Sequence, residues 1–177
     1  MEEQVILVDK NDKEIGIGSK LQTHKEGKLH RSFSIFVLNS KGELLMQQRA
    51  KTKYHSGGLW SNTACGHPRP GKDVIAAARR RLQEEMGFDT ELKELFTFIY
   101  KVKLDHDLLE HEYDHVFRGK FDGNPVPDPA EVEEWKFVPL GVVQKDLKEN
   151  PDFYTAWFRI CFERVLENVP GERVELS

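Results

Sequence analysis

Cysteine is scarce in this chain of 177 residues: Cys65 and Cys161 are the only two. That is too few for a disulfide framework, so a reduced thiol is available as a functional group. Long apolar runs are missing too. No stretch approaches the roughly 18 apolar residues that would cross a membrane as a helix. Basic charge is not in excess, since 26 Lys and Arg face 30 Asp and Glu for a net charge of −4. Such a balance exerts no global pull on nucleic acid or an anionic membrane, so any anion must meet a local cationic pocket. The opening Met1-Glu2-Glu3-Gln4 is acidic, whereas a secretory leader starts basic and continues apolar, and a cytoplasmic protein is therefore expected. Internal repeats and low-complexity tracts are absent. What remains, 38% hydrophobic and 32% charged, is the composition of a soluble globular protein. The length slightly exceeds the ~150 residues usual for one domain. A single domain over residues 1–177 with its own core is expected.

Hydrophobic patterning gives the elements. Residues 4–9 read as a strand, Asn11-Asp12-Lys13 as a turn, and Glu14–Lys20 as a second short strand. Arg31–Asn39 is a strand, and Ser40-Lys41-Gly42-Glu43 turns it into Leu44–Arg49. A loop with Gly57-Gly58 leads to a strand-like Leu59–Cys65. Asp73–Met86 is the clearest helix: Val74, Ala78, Leu82 and Met86 recur every four residues, and Gly87 stops it. Strands follow at Leu95–Leu104, Glu112–Phe121 and Glu134–Val138. Gly123-Asn124-Pro125-Val126-Pro127-Asp128-Pro129 reads as a surface loop. A final helix, Thr155–Asn168, carries Trp157, Cys161 and Val165 on one face. This order predicts an α/β (α+β) fold, a mixed β-sheet between helices.

The central helix holds Arg79-Arg80-Arg81 and Glu84-Glu85. By composition alone that is a solvated face with a weak i,i+4 pair between Arg81 and Glu85. The order of residues says more. Gly66, five residues, Lys72, seven residues and then Arg80-Arg81-Leu82-Gln83-Glu84-Glu85-Met86-Gly87-Phe88 resembles the Nudix box, G-x5-E-x7-R-E-U-x-E-E-x-G-U. Nudix boxes hold a divalent cation against a diphosphate with helical carboxylates, and Mg²⁺ suits carboxylate and phosphate oxygens. Lys72 and Arg81 replace two of the pattern's glutamates, which puts hydrolysis in doubt. An added Arg81 favours phosphate binding.

A second cluster surrounds Ser61-Asn62-Thr63-Ala64-Cys65-Gly66-His67-Pro68. Along a strand, Cys65 and His67 face the same way. His24 and His30 stand upstream. Glu110-His111-Glu112 presents two alternate carboxylates downstream. Three imidazoles with two carboxylates suit a borderline metal such as Mn²⁺, Zn²⁺ or Fe²⁺.

Together with the altered box, these residues resemble the type I isopentenyl diphosphate isomerases, Nudix-superfamily enzymes of isoprenoid synthesis. The resemblance runs from about Val5 to Glu163, and it implies a single Nudix-like catalytic domain. It implies Cys65, in the N-x-x-C-x-H-P segment, as a catalytic acid/base, with Glu112 as its partner and Tyr100 assisting. It implies a metal site of His24, His30, His67, Glu110 and Glu112. A Mg²⁺ bridging protein and diphosphate is expected near Glu85, with the Cys65 backbone as a further ligand. Lys20, Arg49, Lys53 and Arg81 match the phosphate-binding cations, and Trp157 matches an aromatic over the reacting carbons. The spacing from His24 to His30 is one residue shorter than the family's, which a loop can absorb.

The implied reaction moves a carbon–carbon double bond by one position. One proton is added at the terminal alkene carbon and another removed from the allylic carbon, through a tertiary carbocation. Two proton carriers on opposite faces of the substrate meet that need. The face of Trp157 would stabilise the cation by about 2 kcal/mol when desolvated. The diphosphate does not react; its binding energy holds the alkene in place. Trp157 also reads as core, Arg49–Lys53 as an ordinary basic loop, and Cys161 as core without a site role. His55, His106, His111 and His115 receive no role. The substrate is thus a small isoprenoid diphosphate, and the protein a monomer or weak homodimer. Two other readings stand beside this one: a Nudix hydrolase of nucleoside or other diphosphates, and a structural zinc module on Cys65 and histidines. Closed zinc sites are four-coordinate and cysteine-rich, and Cys65 has no second cysteine nearby.

Overall fold

β3 (His30–Leu38) is buried almost without interruption. A strand covered on both faces needs apolar side chains on both sides of its pleat, which Phe33-Ser34-Ile35-Phe36-Val37-Leu38 largely supplies. The computed structural model describes residues 2–169, so Met1 and residues 170–177 of the expected domain lie outside the described residues. Around β3 runs one mixed sheet of nine strands. β1 (Gln4–Val8) and β2 (Glu14–Ser19) form an antiparallel edge pair. β7 (Lys93–Lys103) pairs antiparallel with β8 (Leu109–Lys120), and β8 lies parallel to β3 with His30 opposite Glu112. β4 (Glu43–Arg49) pairs antiparallel with β9 (Val132–Pro139).

β3 and β4 meet at Leu38 and Leu44 beside their turn, and beyond it each takes other neighbours. The segment between them bonds to both. β5 (Trp60–Ser61) pairs with β4, and β6 (Ala64–Gly66) pairs with β3. At the centre of this wedge the Thr63 hydroxyl donates to Leu45 O (2.6 Å) and accepts from the Val37 N–H (2.9 Å). Asn62 Nδ2 donates to Ile35 O (3.1 Å) and Ala64 O (2.9 Å). A chain that crosses between two strands needs side-chain partners for the carbonyls it cannot reach in ladder register. Here buried Asn62 and Thr63 supply them.

The two faces of the sheet carry separate cores. Phe33, Ile35, Val37, Leu45 and Phe117 pack on Ala77, Ala78, Leu82 and Met86 of α2 (Val74–Met86). Phe36, Leu38, Leu44, Met46 and Val116 pack on Trp157, Phe158, Cys161, Phe162 and Val165 of α4 (Ala156–Asn168). Fully burying each large apolar side chain contributes about 1.5–3 kcal/mol. α2 begins at an Asp73 cap that accepts from Ala76 N–H (3.0 Å) and ends at Gly87, φ 74°. The loop Gly123–Pro129 runs over that end, where Val126 N–H donates to Met86 O and Asp128 N–H to Glu85 O, both at 3.0 Å. A Cβ at Gly87 would collide with the Val126 carbonyl, so both conformation and packing demand glycine there.

The expected mixed sheet between helices is the observed fold. Four departures go beyond a shift of a residue or two at an element's end. The strand expected to reach Lys20 ends at Ser19, and Lys20 opens a helix, α1 (Lys20–Glu26). Ser19 Oγ accepts from the Gln22 N–H (3.2 Å), an N-cap that the strand-like pattern of the preceding residues conceals. α3 (Leu140–Glu149) lies where no element was expected, and its buried positions are Leu140 and Val143. The strand expected over Leu59–Cys65 is the pair β5 and β6. The strand expected from Glu112 begins at Leu109, because its ladder with β7 continues through Glu110.

Candidate active site

α1 positions the first imidazole. Its C-cap Gly27 adopts φ 67°, where the helix ends and the chain continues to β3. His24 is buried, with Nδ1 on Lys20 O (2.7 Å), and His30 is buried, with Nδ1 on Lys28 O (2.9 Å). A ring nitrogen facing a carbonyl carries the proton, which leaves Nε2 of both rings as a bare lone pair. His67 follows β6, and its Nε2 lies 3.0 Å from Glu112 Oε1, while His30 Nε2 lies 3.4 Å from the same oxygen. One ligand atom each from His24, His30, His67 and Glu112 falls within 4.8 Å of the others.

His24 Nε2, His30 Nε2 and His67 Nδ1 are buried without a hydrogen-bond partner. Buried polar atoms left unpaired cost about 1–3 kcal/mol each, and lone pairs converging beside a carboxylate are the donor set of a borderline divalent cation. The residues therefore fit a metal. Burial pushes His24 below its ordinary value and His67 down to about 4, so both rings stay neutral and able to ligate. Glu110, the fifth expected ligand, is not part of this quartet. It sits one step back along the same face of β8 and shares the Tyr100 hydroxyl.

Tyr100 is opposite Glu112 in the β7–β8 ladder. Its hydroxyl is bonded to Glu112 Oε2 (2.6 Å) and lies 3.0 Å from Glu110 Oε2. Burial alone would raise Glu112, but the His67 hydrogen bond and the adjoining His30 ring outweigh it and hold the carboxyl well below its usual range. Burial and the neighbouring Glu112 push Glu110 well above that range. Cys65 pairs with Ser34 as Glu112 pairs with His30, and His30 and Ser34 share one face of β3. Cys65 and Glu112 therefore flank β3 on the same side of the sheet. Burial, then the Asp114 charge, pushes the Cys65 thiol up, so at neutral pH it keeps its proton. Its neighbours are Asn62 Nδ2 (3.2 Å), Asn62 Oδ1 (3.3 Å) and Ser34 Oγ (3.9 Å). Two groups driven in opposite directions, a protonated thiol and an ionised carboxylate, make an acid and a base in one site.

A pocket of about 230 Å³ joins these groups to a cationic end. Cys65, His67, Tyr100, Glu110 and Glu112 line it, together with Glu85, Trp157 and all four expected cations, Lys20, Arg49, Lys53 and Arg81. The bland i,i+4 pair of the sequence becomes a partly buried contact, with Arg81 Nε 2.8 Å from Glu85 Oε1. Glu85 also accepts from Gln47 Nε2 (2.7 Å), and burial raises its pKa. Lys72, the other departure from the box, is exposed and lies outside the lining. Trp157 serves core and pocket at once: it is 5% exposed, and the Arg49 guanidinium lies 5.2 Å from its ring.

Three residues at or behind the pocket, His55, Asp114 and Glu131, stand out among those not anticipated. His55 lines the wall edge-on to Trp157 at 6.0 Å, with burial and Arg49 holding it neutral down to about 3. Asp114, buried, accepts from Ser34 Oγ (2.7 Å) and Ser32 Oγ (3.1 Å). The alternation Glu110, Glu112, Asp114 was a legible signal for it. Glu131 contacts Lys53 and Arg81, a contact between segments too distant in sequence to read. His111 Nδ1 faces Gly27 O at 3.0 Å, and His115 lies between Asp12 and Glu94, outside the pocket lining.

Comparisons with known proteins bear on the family and the fold. A family model described as NUDIX domain matches residues 28–158. A protein of Aromatoleum aromaticum named isopentenyl-diphosphate Delta-isomerase 1 is 53% identical over 177 residues, all of both chains. The isopentenyl-diphosphate Delta-isomerase of Burkholderia multivorans is 51% identical over 164 residues, 93% of each chain. Among solved structures, Deinococcus radiodurans DR0079 superposes with a TM-score of 0.77 at 16% identity, covering 92% of this chain and 98% of that one. The MutT protein of Methanosarcina mazei Go1 gives 0.63 at 22% identity over 77% of this chain and 91% of that one. At those identities the two structures speak for the fold alone.

Proposed function

The chain belongs to the isopentenyl-diphosphate Delta-isomerases of the NUDIX superfamily, and on that premise we propose that its pocket interconverts isopentenyl and dimethylallyl diphosphate by proton addition and removal, in isoprenoid synthesis. The observation that carries the reading is the placement of the Cys65 thiol and the Glu112 carboxylate on the wall of one pocket, from the two strands that flank β3. Cys65 gives its proton to the terminal alkene carbon: the S–H bond breaks, a C–H bond forms, and the positive charge falls on the tertiary carbon. Glu112 takes a proton from the allylic carbon, and that C–H electron pair becomes the new double bond. The Tyr100 hydroxyl, bonded to Glu112, keeps the carboxylate aimed. The Trp157 ring faces the developing cation. Cys65 then regains a proton and Glu112 loses one to solvent.

Lys20, Arg49, Lys53 and Arg81 hold the diphosphate, so that the alkene is fixed between the two proton carriers. His24, His30, His67 and Glu112, with Glu110 beside them, would hold one Mn²⁺, Zn²⁺ or Fe²⁺, which would supply positive charge beside Glu112. Mg²⁺ arriving with the diphosphate would be held at Glu85 and the Cys65 backbone, where it neutralises phosphate charge. A hydrolase would need carboxylates where Lys72 and Arg81 stand. No helix among the described residues is long and apolar enough to cross a membrane. The substrate is a small molecule, and we read the protein as one cytoplasmic catalytic domain, a monomer or weak homodimer without nucleic-acid or membrane partners. The test is phosphate release assayed beside isomerisation. Double-bond migration with the diphosphate intact is expected; phosphate release without isomerisation would reverse the assignment.

A further inference from the structure

Glu131 has no part in the chemistry above, yet it stands on the pocket wall. Its backbone is pinned twice: its N–H donates to Asp128 O, and its carbonyl accepts from the Ala50 N–H, both at 3.0 Å. A single carboxylate oxygen, Oε2, meets Lys53 Nζ at 2.6 Å and Arg81 Nη2 at 3.0 Å. Lys53 comes from the loop after β4, Arg81 from α2, and Glu131 from the residue before β9. Three segments remote in sequence thus converge on one atom, and the two cations lie within two hydrogen-bond lengths of each other. Lys53 and Arg81 overcome the effect of burial and keep this carboxyl ionised.

Charge alone gives a clear expectation. A carboxylate beside an anion pocket repels the anion, so its removal should tighten binding. Chain entropy acts the other way. A free lysine side chain has many rotamers to lose when it clamps a phosphate, whereas one already held in place has few. Arg81 is also held by Glu84 and Glu85, so Lys53 is the cation that Glu131 chiefly positions. We infer that Glu131 is a positioning residue, setting Lys53 against Arg81 at the separation of two linked phosphoryl groups, so that the pocket takes a diphosphate over a monophosphate. This rests on the reading that the cationic end of the pocket receives the substrate's diphosphate.

The test titrates inorganic pyrophosphate and orthophosphate, each with Mg²⁺, into the full chain and into its Glu131→Gln and Glu131→Ala variants. Both variants should bind pyrophosphate about tenfold more weakly and orthophosphate nearly as before, which narrows the preference between them. For isomerisation, KM should rise with kcat within about threefold. In a Lys53→Ala background, Glu131→Gln should change little, because the residue to be positioned is gone. Pyrophosphate binding that is unchanged or tighter in Glu131→Gln, or no preference for pyrophosphate in the unaltered chain, overturns the inference. A chain that fails to isomerise yet loses its pyrophosphate preference in the variants would sink the isomerase reading and leave the role of Glu131 standing.

Discussion

The two ends of the pocket are built on different principles. At the imidazole end, His30, Glu112 and Tyr100 are placed by β3–β8 and β7–β8 register, so the backbone ladder fixes their separations. His24 and His30 are each locked further by a carbonyl at Nδ1. At the cationic end, long side chains reach in from separate elements, and glutamates hold them: Glu3 meets Lys20 at 3.1 Å, and Glu131 meets Lys53 and Arg81. The first end is preformed by the sheet, the second by ion pairs that solvent and salt can loosen. Proton transfer needs positions fixed to fractions of an ångström, while a diphosphate offers many oxygens to any cation nearby. The division of labour follows from that difference in tolerance.

Substitutions at the preformed end should cost turnover, and those at the cationic end mainly affinity. The largest effect is expected for Cys65→Ala, about a thousandfold or more in kcat, with the fold and pyrophosphate affinity kept. Steady-state kinetics beside calorimetry checks it, and near-normal turnover removes Cys65 from the chemistry. Next, His67→Ala should lose one bound transition metal per chain, seen by elemental analysis after purification; an unchanged metal content contradicts the quartet. At the other end, Glu85→Gln should raise the Mg²⁺ concentration needed for half-maximal activity about tenfold, with kcat at saturating Mg²⁺ far less affected. An unaltered Mg²⁺ requirement would blur the distinction between the two ends.

The last effect concerns pH. Burial holds His55 neutral down to about 3, whereas the unfolded chain protonates it near 6.5. Between those values the unfolded state binds more protons, so this residue's contribution to stability is present above 6.5 and falls as pH drops towards 3. The slope is at most about 1.4 kcal/mol per pH unit. Compared with His55→Phe, the natural chain should lose stability faster on acidification in that window, as measured by urea unfolding. Parallel pH profiles would show that His55 is protonated in the folded state.

The imidazole end was largely legible in the sequence because its residues sit in short motifs whose spacing is a strand's spacing. Cys65 and His67 are two apart, as are Glu110 and Glu112, and the period-two rule places each pair on one face. The mixed sheet was legible from the same alternation, and the helices α2 and α4 from apolar residues recurring about every four positions. α1 was not, since Lys20–Glu26 has only Thr23 and His24 buried and no apolar periodicity to announce it. α3 hid because it buries only Leu140 and Val143. Glu3 and Glu131, unlike the i,i+4 partner of Arg81, could not be found by local pattern: Glu131 meets Lys53 across 78 positions of sequence. Contacts made by the tips of long side chains leave no periodic trace.

The central claim is that Cys65 and Glu112 move protons to and from carbon while the diphosphate stays whole. Turnover of isopentenyl diphosphate in deuterated water, followed by mass spectrometry and proton NMR, tests it most directly. Deuterium is expected in the methyl group newly formed from the terminal alkene carbon, with an intact diphosphate, and with loss of both incorporation and turnover in Glu112→Gln. Phosphate release without deuterium uptake, or rapid hydrolysis of nucleoside diphosphate compounds with the isoprenoid untouched, would contradict it.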